Sequence, residues 1–181
     1  YNNGYTRVRE LVREVVDMLE ESGFDWSTFD NDNDGYVDAL NLIHQGAGAE
    51  EGDYSNIWSH KSSLGNLAVS YDGVIINSYN ISPEIQNGNL VAIGVLAHEF
   101  GHALGLPDLY DTDYSSSGSG KLALMASGSW GTSNNSPWYP ATMIGWCKNQ
   151  LGWIDVVDIN EDQDAVSIQQ TYSNNTVYRV N

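Results

Sequence analysis

The run His98-Glu99-Phe100-Gly101-His102 constrains this chain more than any other five residues. On a helix, positions i and i+4 share a face, so His98 and His102 can offer two imidazole nitrogens to one metal ion. Glu99 stands beside the first of them, placed to take a proton from a water that the metal activates. Residues 90–97 are apolar enough to carry a helix through a core, and the pattern predicts a helix over 89–104. Gly105 follows three residues after His102, where a left-handed residue ends a helix, and Pro107 stops it from resuming. Asp108, turned back by this bend, is placed to supply a third, oxygen ligand. Three protein ligands with a fourth position open define a catalytic zinc site, whereas a structural site is closed by four. The plainer alternative is a core helix with two hydrogen-bonded histidines and a chance glutamate.

A second acidic signal lies upstream. Asp30, Asp32 and Asp34 alternate, Gly35 occupies the sixth position, and Asp38 follows. Alternating carboxylates with a glycine at the sixth place match the start of a calcium loop, in which Tyr36 would give its backbone carbonyl. The twelfth position is Asn41 rather than a bidentate glutamate, and a strand rather than a helix is expected next. These features exclude an EF-hand sensor and point to a structural calcium site closed partly by Asp38, against the alternative of an exposed acidic turn.

The 181 residues suit one domain, with 1–153 expected as the catalytic unit and 154–181 as a C-terminal β extension or the start of a following domain. Tyr1 is no initiator methionine, so the chain reads as a processed piece of a longer protein. No apolar run is long enough to span a membrane. With 24 acidic against 7 basic residues, the net charge of −17 disfavours nucleic acid and anionic membranes as partners, and a soluble monomer is expected. The single cysteine, Cys147, rules out an internal disulfide framework; its apolar context reads as buried and inert rather than reactive.

Hydrophobic spacing predicts an amphipathic helix over 6–21, ended by Gly23, and strands over 36–45 and 73–80. Residues 52–69 read as loop-rich with a short element at 57–64, 110–120 as a polar loop, and 140–149 as helical. Alternating patterns predict strands at 166–169 and 177–180. His44 and His60 read as structural or surface residues, because the metal cluster is already supplied. Asp111 and Asp113 fit a second calcium or a solvated loop equally well. Trp130, Trp138, Tyr139 and Trp146 read individually as plain packing, and bordering a substrate pocket is a role that only a family resemblance gives them.

The stretch 98–111, HEFGHALGLPDLYD, with Leu124-Met125-Ala126-Ser127 beyond it, resembles the metzincin clan of zinc endopeptidases, and within it the immune-inhibitor-A-like secreted bacterial peptidases. The usual third ligand of the clan is histidine; Asp108 stands there in this chain, as in the immune-inhibitor-A-like group. The likeness runs from Asp30 to about Trp153 and includes Ile57-Trp58-Ser59-His60-Lys61, Tyr79-Asn80-Ile81-Ser82-Pro83-Glu84 and Leu151-Gly152-Trp153. It implies an α/β (α+β) metzincin-like domain, with a twisted mixed sheet, backing helices, an active-site helix and a small C-terminal subdomain. It also implies that Met125 marks a Met-turn beneath the zinc. Some relatives carry a catalytic tyrosine two residues after this methionine; Ser127 occupies that place, leaving Tyr110, Tyr139 and His60 as candidates to stabilise an oxyanion.

The expected function is a secreted, extracellular zinc endopeptidase acting on protein or peptide substrates. In it Zn²⁺ is held by His98, His102 and Asp108, Glu99 is general base, and structural Ca²⁺ sits at Asp30, Asp32, Asp34, Tyr36 and Asp38. An extended substrate would add to the edge strand of the sheet. Two alternatives are a catalytically degenerate calcium-dependent binding module, disfavoured by the intact Glu99, and a zinc hydrolase of small peptides.

Overall fold

Val8, Val12 and Val16 recur every fourth residue, and this stripe is what folds the first helix onto the domain. Helix α1 (Asn2–Glu21) buries all three, Val12 and Val16 completely. Its end is a Schellman motif: Gly23 adopts φ +83°, its N–H donates to the Glu20 carbonyl at 2.9 Å, and the Phe24 N–H donates to the Leu19 carbonyl at 3.1 Å. The computed structural model describes residues 2–113, 115–132, 136–162, 165–170 and 174–180, with side chains from Arg7 onward.

The strands are β1 (Asn41–Ala47), β2 (His60–Ser63), β3 (Val69–Tyr71), β4 (Val74–Ile76), β5 (Ser78–Gln86) and β6 (Asn89–Leu90). Helix α2 (Ile93–Ala103) carries the two histidines of the motif; α3 (Gly145–Gln150), β7 (Asp155–Ile159) and β8 (Thr176–Val180) complete the chain. The architecture is mixed α/β. The main sheet runs β1-β5-β2, with β1 parallel and β2 antiparallel to the central β5, and β6 closes a hairpin onto the far end of β5. One face of β5 sends Tyr79 and Ile81 into a core shared with α1, Trp26, Val37, Leu64, Val74 and Ile76. A smaller core, Leu106, Met125 and Cys147 with Leu109, Met143, Ile144 and Leu151 around it, lies on the C-terminal side. Helix α2 packs on β5 and β2 and on the turn at 127–130, so it lies where the two halves meet. Among the described residues, no helix is long and apolar enough to cross a membrane.

Several predicted boundaries move, each for a visible reason. The helix expected from residue 89 begins at Ile93, because Asn87 (φ +51°) and Gly88 (φ +72°) make a tight turn that pairs Leu90 with Ile85 as a hairpin. Nor is α2 buried all round: Ile93 and Phe100 are exposed. The strand expected over 36–45 is β1, shifted to 41–47, since Val37 and Asp38 are taken by Ile75 and by Phe29 respectively through backbone hydrogen bonds. The strand expected over 73–80 divides at Asn77, whose carbonyl and side-chain oxygen accept from the Leu64 and Gly65 N–H groups. β5 then runs on through Pro83, which sits opposite His44 at the irregularity in the β1 pairing, where a missing N–H is tolerated.

The helix expected over 140–149 is confined to α3. Ala141 and Thr142 are instead hydrogen-bonded across to Gly128 and Leu124 beside the methionine segment. Residues 166–169 are not a strand; β8 takes β7 as its parallel partner, and alternation without a partner does not make a ladder.

Candidate metal centre and cleft

The 98–102 motif lands on α2 as its spacing requires, and Gly105 ends the turn after it with φ +91°. The bend brings Asp108 back over the helix. Its Oδ1 lies 3.1 Å from His98 Nε2 and 3.2 Å from His102 Nε2, and the two Nε2 atoms are 3.2 Å apart. Each ring is oriented from behind. His98 Nδ1 lies 2.9 Å from the Leu124 carbonyl, and His102 Nδ1 lies 2.8 Å from the Leu106 carbonyl. A carbonyl only accepts, so both Nδ1 atoms carry a proton, and a neutral ring so held turns the Nε2 lone pair inward. Burial lowers the His98 pKa, which favours that neutral form. Asp108 Oδ1 is itself buried with no hydrogen-bond donor. Two imidazole nitrogens and a carboxylate oxygen therefore face one point, an arrangement that a cation satisfies.

Met125 is fully buried against the helix at Gly101. A Cβ built on Gly101 would overlap its Sδ, so the glycine inside the motif exists to let the methionine approach the helix. The Met125 carbonyl also accepts from the Leu109 N–H at 2.7 Å, tying the segment to the residue after Asp108.

Glu99 faces a cleft of about 460 Å³ together with His98, His102, Asp108, Tyr110 and Trp130. It is 8 % exposed. Burial pushes its pKa up to about 7; the nearby His102 and the backbone N–H of Lys61 oppose that rise, while Asp108 and Glu50 add to it. Lys61 lies on β2, so the edge strand of the sheet passes directly beside the carboxylate. Glu50 and the 58–61 segment form the opposite wall, where the Glu50 Oε1 accepts from the Ser59 N–H at 2.6 Å.

His60 also lines the cleft, with its Nδ1 2.7 Å from the Trp58 carbonyl, its Nε2 3.4 Å from the Tyr79 hydroxyl, and a pKa lowered by burial. His44 sits on β1, apart from the cluster, with its Nδ1 3.0 Å from the Gln45 carbonyl. Tyr110 donates its hydroxyl proton to Asp108 Oδ2 at 2.9 Å. Sequence reasoning found Tyr110 only as a bare chemical candidate, and it missed Glu50 and the Leu106 and Leu124 carbonyls. It passed over Gly101 too, although a glycine within a helix costs about 1 kcal/mol and can mark a close approach.

The acidic loop has a different character. Asp30, Asp32 and Asp38 each place a carboxylate oxygen within 4.8 Å of the others. Asp34 stands outside that group, and its Oδ1 accepts from the Tyr36 N–H at 2.8 Å. The loop's own N–H groups use the other carboxylates too: Asp30 accepts from Asp34 and Gly35 at 3.0 Å each, and Asp38 from the Asn31 N–H at 3.2 Å. Tyr36 lies at an isolated parallel bridge with Ile75. Asp111 and Asp113 are likewise engaged by their own loop, Asp111 with Ser115 and Ser116, which hold its pKa well below the usual carboxylate range.

A helix-borne pair of histidines joined by a returning carboxylate, over a buried methionine and beside a glutamate, is the kind of centre on which metallopeptidases are built. The comparisons with known proteins narrow this class. Residues 1–154 match the family described as immune inhibitor A peptidase M6, catalytic domain, and the chain belongs to that family. It is 35 % identical over 157 residues to immune inhibitor A of Bacillus thuringiensis subsp. alesti, covering 71 % of this chain and 22 % of that protein. It is 33 % identical over 198 residues to the pre-pro-metalloprotease PrtV of Vibrio cholerae serotype O1, covering 88 % of this chain and 21 % of that one. The chain thus spans about a fifth of the length of these relatives.

Proposed function

We propose that this chain is the catalytic domain of a secreted zinc endopeptidase of the metzincin type, with residues 1–153 as the catalytic unit and 154–181 as its C-terminal β extension. His98, His102 and Asp108 would hold the zinc, and the observation that carries this reading is the convergence of two imidazole Nε2 atoms on the buried Asp108 Oδ1. Bound there, zinc would supply a Lewis acid that acidifies a water and polarises a peptide carbonyl.

The chain's own groups account for the remaining steps. Glu99 takes the proton of the attacking water on its carboxylate and passes it to the leaving amine. Its buried position beside the two histidines places the carboxylate where such a proton would be exchanged. The strand β2, last in the sheet order β1-β5-β2 among the described residues, would receive an extended substrate by strand addition beside Glu99. Met125 supports the helix from below as the Met-turn of this class. The small C-terminal subdomain carries Trp130 at the cleft wall. The peptidase family and the metalloprotease relative support a metal-dependent peptidase.

The acidic loop is the second part of the reading. Asp30, Asp32 and Asp38 would ligate a structural calcium, with the Tyr36 carbonyl completing the shell and Asp34 shaping the turn. Purified protein assayed on casein and on short peptides, with zinc content measured before and after a chelator, tests the proposal. Chelator-sensitive cleavage of casein is expected. Zinc binding without any hydrolysis would favour the binding module, and cleavage confined to short peptides would favour the small-peptide hydrolase.

A further inference from the structure

The carboxylate of Asp108 is divided between two tasks. Its Oδ1 faces the two histidine Nε2 atoms, while its Oδ2 accepts the Tyr110 hydroxyl at 2.9 Å. Tyr110 reaches that oxygen because its backbone is held on both sides. Leu109 donates its N–H to the Met125 carbonyl at 2.7 Å and accepts from the Ser119 N–H at 2.8 Å. Gly118, at φ +54°, passes so close that a Cβ there would lie 2.9 Å from the Tyr110 Cα. The ring lies near-parallel to that of His98, with centroids 6.5 Å apart at 15°. The tyrosine is thus fixed by the same methionine segment that supports the helix.

We infer that Tyr110 is a positioning residue that holds Asp108 as a one-oxygen ligand, and so keeps a coordination position open for substrate. The inference rests on the reading of His98, His102 and Asp108 as zinc ligands. The two histidines are oriented by the Leu124 and Leu106 carbonyls, and the phenol plays the corresponding part for the carboxylate. Aspartate differs from histidine in having two equivalent donor atoms. With Oδ2 released, the carboxylate can turn and offer both oxygens to the metal, which fills the open position that catalysis needs. A phenol carries a single proton, and here it is directed at Asp108 rather than into the cleft. That geometry sets Tyr110 apart from a group whose proton stabilises the substrate's oxyanion.

The test uses the full chain loaded with cobalt(II), whose visible absorption reports coordination number, beside zinc affinity measured by competition with a chromophoric chelator. Tyr110→Phe removes only the hydroxyl, and the side chain is 42 % exposed, so the metal-free variant should melt as the wild type does. The expected result is a tenfold to hundredfold loss of metal affinity, the scale typical of a lost supporting contact, together with a weaker visible band as a second oxygen enters the shell. Unchanged affinity and an unchanged spectrum would overturn the inference even if turnover fell, and would assign the hydroxyl to the substrate instead. Asp108→Ala, run in parallel, isolates the underlying reading. A wild type that binds cobalt no better than that variant would remove the zinc site, and this inference with it.

Discussion

The two carboxylate clusters of this chain differ in where their lone pairs go. At the helix, Asp108 Oδ1 is buried without a donor, and the histidine protons are committed to carbonyls on the far side of each ring. At residues 30–38 the carboxylates are largely solvent-facing and already accept from the loop's own N–H groups. A cation at the first cluster meets acceptors that have nothing else to bond. A cation at the second shares acceptors with the turn and displaces water. The lesson is that two groups of potential ligands that both stand out in the sequence differ in the folded chain, and burial separates them.

The sharpest way to break this contrast is Glu99→Gln. It keeps the three metal-facing atoms and removes the base, so peptide hydrolysis should fall by roughly 10²–10⁴-fold while zinc content stays unchanged. Turnover beside elemental analysis reads both quantities, and retention of most activity would end the assignment of Glu99. Asp108→Ala should lower zinc affinity by more than the ~10–100-fold typical of supporting contacts, because a direct ligand is lost. If occupancy and rate both survived it, the buried cluster would not be the metal centre.

The pH response of the metal-free protein comes next. Glu99 has a folded pKa of about 7 against an ordinary value of 4.5, so between those values the folded state binds more protons than the unfolded one. Its contribution is fully present below pH ~4.5 and is lost as pH rises through ~7, for about 3 kcal/mol in total. Urea titrations at the two ends of that window should show this fall in the wild type and a smaller one in Glu99→Gln. Equal slopes in the two proteins would mean that Glu99 is not desolvated as the structure shows.

Calcium should give the smallest effect, and one confined to the exposed loop. Stabilisation of about 2.7 kcal/mol is expected at a hundredfold excess over Kd. Asp38→Ala should abolish the calcium-dependent rise in melting temperature, whereas Asp34→Ala, whose carboxylate serves the turn, should retain part of it. Melting curves indifferent to calcium in stripped wild type would reduce the loop to an acidic turn.

Much of the centre was legible because its geometry is local. The i, i+4 histidines, the helix end at Gly105 and the return at Asp108 follow from helix pitch and from the left-handed freedom of glycine, with no help from distant residues. The stripe Val8, Val12 and Val16 was legible for the same reason. The Asn87-Gly88 turn was also written in the chain, yet the apolar run after it reads equally as helix or strand, and only its pairing with Ile85 decides.

Periodicity and turn chemistry, which act over a few residues, are what the chain carries by itself: one face of α1, the face of α2 that bears His98 and His102, and the alternating carboxylates of the acidic loop. Tertiary structure alone decided which lone pairs are left without partners. The Leu124 and Leu106 carbonyls set the histidine tautomers, Met125 fills the space Gly101 leaves, Lys61 arrives beside Glu99 from another strand, and Tyr110 reaches the outer oxygen of Asp108. Most of these contacts join segments far apart in sequence. Hydrogen-bond satisfaction and desolvation belong to the surroundings of a residue, and those surroundings exist only once the chain has folded.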